Sequence, residues 1–235
     1  MKDVNNVNNK LPKYCSKYYI RKEIEHIAYK ICIINYEFNL FKELTTGENK
    51  KYICDRFPET FSHTIDALFL KLLIELAKLF DNDDDSICIP AFLNKYKKHK
   101  NIYNEKEYIY IKKINSNKKH RFYLQPKRIN ACINELEKDI KNNESIIKYL
   151  KTRRNKSLVH NDKKFEFNRN KKFSKSPITY EQLEKFIEIL FNDINQIYMS
   201  LFGTQVKYLN DYISEIKYLK DLIKKDFETK TVNIY

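Results

Sequence analysis

Glycine and tryptophan are nearly or wholly missing from this chain, which has 2 Gly, 5 Pro and no Trp in 235 residues. Two glycines cannot build a GxxxxGK[ST] phosphate loop or a GxGxxG dinucleotide fingerprint, and neither motif occurs. No GxSxG nucleophile elbow for acyl chemistry occurs either. Few Gly and Pro also leave little material for tight turns. Long stripes of Leu, Ile, Tyr and Phe between charged positions therefore predict an all-α protein.

Long apolar runs and paired cysteines are also absent. The longest apolar stretch, residues 68–79, is interrupted by Lys71, Glu75 and Lys78, so we expect no membrane span. The polar start of the chain lacks the apolar stretch of a signal peptide. The 5 Cys are dispersed and never form a C-x-x-C pair, which indicates reduced thiols rather than disulfides or zinc. We expect a cytoplasmic protein.

Metal-ligand spacing is missing as well. The histidines outside the segment discussed below have no His, Cys or carboxylate partner at ligand spacing, so no metal and no cofactor is expected. Asp81, Asp83 and Asp85 resemble the start of a calcium loop. Such a loop needs Gly at its sixth position and Glu at its twelfth, and the chain has Ser86 and Phe92 there. We interpret the acidic run as a solvated turn between helices.

Positive charge is concentrated in two segments. Residues 95–128 hold 12 Lys and Arg against 2 acids, and residues 148–175 hold 11 against 2. Together these segments carry more than the whole net charge of +14. A codon bias towards Lys would spread the charge more evenly, so the concentration predicts a polyanionic partner, most simply RNA. Neither segment has the apolar anchors of a membrane-surface helix.

Apolar periodicity predicts an up-and-down bundle of helices in residues 14–235, after a flexible N-terminal segment, residues 1–13. Three caps are expected: Ser86, Asn143, and Thr179 in a capping box with Gln182. The expected helices span residues 14–44, 58–80, 87–96, 126–140, 144–160, 179–201 and 204–227.

An irregular basic insertion around residues 100–125 interrupts this pattern. Tyr108-Ile109-Tyr110-Ile111 and Arg121-Phe122-Tyr123-Leu124 have the composition of strands and predict a small β-hairpin. Its aromatic residues either stack bases of single-stranded RNA or pin the insertion to the body of the protein.

Arg154 stands where a core residue is expected. Ile147, Leu150, Arg154 and Leu158 follow the apolar stripe of the predicted helix 144–160. A guanidinium on such a stripe needs an anion, because an unpaired buried charge is costly. Either a phosphate or a structural Asp or Glu from another helix would serve.

The residues around Arg154 fit the chemistry of RNA cleavage without a metal. That reaction needs a base, an acid and a cation to neutralise the phosphorane. His160 is the proton-transfer group of this region near neutral pH, and Arg154 can hold a phosphate with two parallel hydrogen bonds. Asn155 would orient the imidazole or a phosphate oxygen. Lys156 and Lys163 would bind RNA phosphates. One such set per chain is sparse, so two facing sets across a homodimer would make a better-equipped site.

Arg154-Asn155-x-x-x-x-His160 resembles the R-x(4–6)-H signature of the HEPN superfamily. The segment from Arg154 to Lys163 is similar to the R-D-K-x-x-A-H-x-D-K segment of the abortive-infection (Abi U-type) group of HEPN domains. Residues 61–80, followed by Asp81-x-Asp83-x-x-Ser86-Ile87-x-Ile89-Pro90, are similar to the helix and acidic turn that precede it in that group. The resemblance covers residues 61–164.

The resemblance implies an all-α HEPN-like domain that dimerises and acts as a metal-independent ribonuclease. Such domains are commonly toxins or phage-defence effectors, in some systems paired with an antitoxin, and their cleavage leaves a 2′,3′-cyclic phosphate. Carried over by residue, Arg154 and His160 are the catalytic pair and Asn155 is their polar helper. Arg153, Lys156, Lys163 and Lys164 are the expected RNA-binding residues.

Two departures from the group stand out. Asn155 occupies a position that is often Asp, and Asp162 occupies one that is Tyr in toxins silenced by adenylylation, which argues against that control mechanism. Arg153 competes with Arg154 for the catalytic role, since it lies nearly on the helical face of His160. A noncatalytic RNA-binding or partner-binding module is the alternative function, and an inactive partner within a toxin–antitoxin pair is a third.

Overall fold

The described part of the chain contains six helices and one β-hairpin, with further helical residues near the end of the sequence. The computed structural model describes residues 13–47, 50, 58–81, 83, 86–100, 108–112, 119–123, 126–155 and 178–206, with 218, 221–222 and 224–225 near the end. The predicted all-α bundle is confirmed. Its elements are helices α1 (Lys13–Thr45), α2 (Pro58–Lys78), α3 (Ile89–His99), α4 (Pro126–Asn142), α5 (Glu144–Arg153) and α6 (Tyr180–Phe202), and strands β1 (Tyr108–Lys112) and β2 (Lys119–Tyr123).

Helices α1 and α6 pack against each other at the centre of the bundle. Both bury the stripes that their sequences predict, and α1 also contacts α2 and α3 while α4 packs on α6 and α5 on α2. Phe80, after α2, stacks on Phe186 of α6 with ring centroids 5.7 Å apart. The buried stripe residues are Ile20, Ile24, Ile27, Ile31 and Ile34 of α1 and Leu183, Phe186, Ile187, Leu190, Ile194 and Ile197 of α6.

The predicted capping box at the start of α6 is confirmed. The backbone N–H of Gln182 donates to Thr179 Oγ1 at 3.2 Å, and the backbone N–H of Thr179 donates to Gln182 Oε1 at 3.0 Å. Gly203 ends the helix in the left-handed conformation, with φ of 69°, which costs glycine little because it has no Cβ.

The start of α3 differs from the prediction. Ser86 does not cap this helix, because its hydroxyl donates to the carbonyl of Asp83 at 2.9 Å and closes the preceding turn. The helix begins at Ile89, after an extended Cys88 that makes no side-chain cap, and it continues to His99 rather than ending at Tyr96. Pro90 lies in the first turn, where its missing N–H leaves no helical bond unmade.

Helix α5 begins at the predicted residue without the predicted cap. The Asn143 side-chain amide donates to the Asp139 carbonyl at 2.8 Å and makes no cap bond, so it closes α4 rather than opening α5. The α-helical part ends at Arg153, and Arg154 and Asn155 continue in π-helical conformation. The predicted continuation to His160 lies outside the described residues.

The basic insertion contains the predicted β-hairpin. Strands β1 and β2 pair antiparallel, with Tyr108 opposite Tyr123 and Lys112 opposite Lys119. The pairing confirms strand structure within residues 100–125. RNA stacking on the aromatic residues of this insertion stays a prediction.

Some predicted segments lie outside the described residues. These are the N-terminal residues 1–12, residues 156–177 and most of the last predicted helix, of which residues 218, 221–222 and 224–225 are helical. The single-domain assignment of residues 14–235 stays a prediction. Among the helices that the structure describes, none is long and apolar enough to cross a membrane.

The α4–α6 interface brings a half-buried carboxyl group close to two others. Burial, together with the charges of Asp139 and Glu135 on α4, raises the pKa of Asp193 on α6 to about 7. Because the folded state holds this proton between pH 4 and 7 and the unfolded state does not, Asp193 lowers stability as pH rises through that window.

We therefore expect the free energy of unfolding of Asp193→Asn, relative to wild type, to rise by about 1 kcal/mol from pH 4 to pH 8. The gain is smaller than the pKa shift alone would give, because the carboxyl is partly exposed to solvent. Urea unfolding at both pH values measures this difference. Glu188→Gln, at an exposed position of the same helix, is the matched control. A gain that is equal at both pH values, or shared by Glu188→Gln, would contradict the prediction.

Candidate functional site

Arg154 lies at a change of helical geometry. Its backbone N–H is shared between Leu150 O and Lys151 O, a three-centre bond common at helix ends, and Arg154 and Asn155 then adopt π-helical conformation. Ile147 and Leu150 on the preceding turns are buried. The guanidinium thus stands at the end of the apolar stripe, and 17% of its side chain remains exposed.

A carboxylate satisfies this charge. Arg154 Nη1 donates to Asp81 Oδ1 at 2.6 Å, and 28% of the Asp81 side chain is exposed. The sequence left a phosphate and a structural carboxylate open, and within this chain the partner is a carboxylate. The guanidinium keeps further N–H donors, and no described residue accepts a hydrogen bond from Nη2. Asp81 therefore fixes the position of Arg154 and leaves donors for a second anion.

The acidic turn after α2 holds Asp81 in place. The Asp81 backbone N–H donates to Lys78 O at 3.2 Å, and the Cys88 thiol donates to the Asp81 carbonyl at 3.0 Å. The acidic run forms a turn between α2 and α3, and its first residue, Asp81, is partly exposed and also binds Arg154. Asp81 joins the acidic turn to the end of α5. The two segments that carry the family resemblance therefore contact each other.

Asn155 connects Arg154 to an open cavity. Its Oδ1 accepts a hydrogen bond from Arg154 Nε at 2.9 Å, so the structure brings these two predicted site residues together. Asn155 also lines a cavity of about 670 Å³ between α4 and α5. The charged side chains that line this cavity are Glu137, Lys141, Glu144, Lys148 and Lys151.

Arg153 serves a different cavity from Asn155. Its Nη1 donates to the hydroxyl of Tyr149, one turn earlier, at 2.8 Å. The side chain lines a second cavity, of about 350 Å³, whose other walls come from α2 and α6. Arg153 thus contacts Tyr149, whereas its neighbour Arg154 contacts Asp81 and Asn155.

The other predicted site residues, namely His160, Lys156, Lys163 and Lys164, lie outside the described residues. Their roles, and the pairing of His160 with Arg154, stay predictions. Within the described ranges, no group of three His, Cys, Asp or Glu side chains is placed to hold a metal ion.

Sequence reasoning missed two features of the site. Asp81 was not assigned to Arg154, although the resemblance already matched the acidic turn and the Arg154 segment together. The aromatic wall of the Arg153 cavity, formed by Phe69 and Tyr180, was also missed. These two residues are 111 positions apart in the sequence, and no local pattern links them.

Comparison with known protein families gives a match over most of the chain. The family model HEPN_AbiU2, described as AbiU2, matches residues 17–222. The matched range includes both Asp81 and the Arg154–His160 segment. No curated protein matches the chain. No solved structure matches it.

Proposed function

The chain belongs to the AbiU2 family of HEPN domains, and we propose from this premise that it is a metal-independent endoribonuclease. It would act in the cytoplasm as a phage-defence effector or as the toxin of a toxin–antitoxin pair. In this proposal the 2′-hydroxyl of RNA attacks the adjacent phosphate. The products are a 2′,3′-cyclic phosphate and a 5′-hydroxyl.

The position of Arg154 is the observation that carries this proposal. Its guanidinium is fixed by Asp81 and Asn155, remains partly exposed, and adjoins through Asn155 a cavity large enough for a nucleotide. A fixed cation with spare donors suits the developing charge of a phosphorane, because little reorganisation is needed when that charge appears.

Each residue of the segment has a role in the proposed reaction. His160 takes the proton of the 2′-hydroxyl or gives one to the leaving 5′-oxygen, and Arg154 neutralises the phosphorane. Asn155 holds Arg154 in position through Nε and presents its amide N–H groups to a phosphate oxygen. Lys156, Lys163 and Lys164 bind phosphates away from the scissile bond.

The charge of the larger cavity supports an anionic ligand. Lys141, Lys148 and Lys151 line it. Glu137, on the same wall, forms an ion pair with Lys97 of α3, which reduces its repulsion of a phosphate. Glu144 in the first turn of α5 is the remaining acid. An RNA backbone that follows this cavity reaches Asn155 and then Arg154.

We also propose that the active unit is a homodimer with a composite site, in which the catalytic residues of both chains face one RNA strand. A cognate antitoxin would then act by covering the site or by separating the two chains.

One observation favours a second function. The ion pair between Arg154 and Asp81 gives the arginine a structural partner. A noncatalytic module could therefore retain this pair to hold α5 against the acidic turn while it binds RNA or a partner protein.

RNA incubated with the purified protein in EDTA tests the proposal. We expect cleavage that persists in EDTA, with products that carry a cyclic phosphate at one end and a 5′-hydroxyl at the other. Mass spectrometry of the fragments and end-labelling by a polynucleotide kinase identify these ends. RNA that is bound but left intact would favour the noncatalytic module, and cleavage that EDTA abolishes would contradict the mechanism.

A further inference from the structure

We propose that the cavity lined by Arg153 is a nucleotide subsite that stacks one unpaired RNA base on Tyr180 and holds its phosphate with Arg153. This inference rests on the proposed function, because it takes RNA as the substrate. It specifies that the substrate is single-stranded where it enters the site. The cavity lies between α2, α5 and α6, on the side of α5 that Arg153 faces.

The aromatic wall of this cavity is fixed on one side and open on the other. Tyr180 stacks on Phe41 with ring centroids 5.5 Å apart and an interplanar angle of 25°. Phe69 stacks on Phe41 at 5.1 Å and contacts Tyr180 at 5.5 Å. Tyr180 is nevertheless 55% exposed. A ring that is held by its neighbours and still faces solvent is a suitable platform for base stacking.

The cation of the cavity is Arg153. Among the described residues that line this cavity, Arg153 carries the only formal charge, and none is a carboxylate. Its guanidinium is oriented by the Tyr149 hydroxyl at 2.8 Å. Apolar and aromatic walls with one oriented guanidinium match a base and its phosphate, and a volume of about 350 Å³ is at the small end of ligand pockets.

The neighbouring cavity shows why the ligand enters on the Arg153 side. Phe69 and Tyr180 also line a third cavity, which carries the carboxylates of Asp66, Glu181 and Glu184. Its cation, Lys42, is bound to Glu184. Phosphates are repelled from that acidic side. The two faces of the aromatic wall therefore differ in charge, and only the Arg153 face suits a nucleotide.

The subsite lies next to the proposed chemistry in the chain. Arg153 and Arg154 are consecutive, yet Arg153 faces the aromatic cavity and Arg154 contacts Asp81 and Asn155. A base stacked on Tyr180 would place the adjoining phosphate near the end of α5. Stacking tolerates every base, so the subsite would select unpaired RNA rather than a sequence. A duplex, whose bases are stacked on each other, cannot use it.

Binding of a fluorescein-labelled, single-stranded RNA decamer tests this inference without relying on cleavage. The measurement uses full-length protein in the His160→Ala background and fluorescence anisotropy. We expect Tyr180→Ala to weaken binding by about 5- to 100-fold, Tyr180→Phe to retain it because the ring remains, and Arg153→Gln to weaken it about 10-fold. Tyr29→Ala is the matched control, since Tyr29 is 59% exposed on α1 and lines none of the three cavities.

Crosslinking provides a second readout. A decamer that contains 4-thiouridine should crosslink to Tyr180 or Phe69, and mass spectrometry locates the site. The inference is overturned if Tyr180→Ala binds as wild type does, if Tyr29→Ala weakens binding equally, or if a duplex of the same sequence binds as tightly. If wild type cleaves RNA and Tyr180→Ala binds RNA unaltered, only the subsite is rejected. If RNA crosslinks at Tyr180 but is not cleaved, the subsite stands and the ribonuclease function is rejected.

Discussion

His160→Ala is expected to slow RNA cleavage by about 10²- to 10⁴-fold while RNA affinity changes by no more than a few fold. Loss of a general acid or base removes this much from a proton-transfer step. His160 itself contributes little to RNA affinity, because Lys and Arg supply the positive charge of the segment. Chemistry and binding should therefore separate in this variant.

Single-turnover cleavage of a labelled RNA in EDTA measures the chemical step, and anisotropy measures affinity. His63→Ala is the control, because His63 is an exposed histidine on α2. This variant also loses an imidazole, but at a position distant in sequence from Arg154 and His160. Equal cleavage by wild type and His160→Ala would refute the assigned role. A loss shared with His63→Ala would show that the effect is not specific to this histidine.

The long helices could be predicted from sequence because their apolar stripes are regular. Ile24, Ile27 and Ile31 recur at helical spacing and are buried in α1, as expected. Thr179 and Gln182 form the predicted capping box, since both partners lie within one turn. The start of α3 could not be predicted in the same way. Serine commonly caps helices, but here the Ser86 hydroxyl donates to the carbonyl of Asp83 instead.

The site was predictable only in its local part. The position of Arg154 on an apolar stripe predicted that its guanidinium binds an anion. Its contact with Asn155 is also local, because the two residues are neighbours in the sequence. The identity of the anion depends on how α2 and α5 pack, because Asp81 lies 73 residues away. The aromatic wall of the Arg153 cavity depends on packing of α1, α2 and α6 in the same way. Tertiary contacts of this kind leave no periodic signal in the sequence.

Arg154→Ala is expected to lower the rate of RNA cleavage by about 10²- to 10³-fold, the loss typical of removing one preorganised donor to a developing negative charge. Arg154→Lys should recover little, because an ammonium cannot bind Asp81, Asn155 and a phosphate through one planar group. Arg153→Ala should act differently. Since Arg153 contacts Tyr149 and lines the aromatic cavity, its loss should raise KM and leave kcat within a few fold of wild type.

Stability measurements separate this prediction from a purely structural role of the ion pair. The Arg154–Asp81 contact is partly exposed, so Arg154→Ala and Asp81→Asn should each cost about 1 kcal/mol of unfolding free energy, measured by urea denaturation. If the pair is only structural, the two variants should also lose cleavage equally. If Arg154 contacts the phosphorane, Asp81→Asn should retain much of the activity that Arg154→Ala loses, because the arginine and its contact with Asn155 remain. If Arg154→Ala and Asp81→Asn are equally stable but cleave RNA at different rates, Arg154 takes part in the reaction. If they cleave at equal rates, the role of Arg154 is structural.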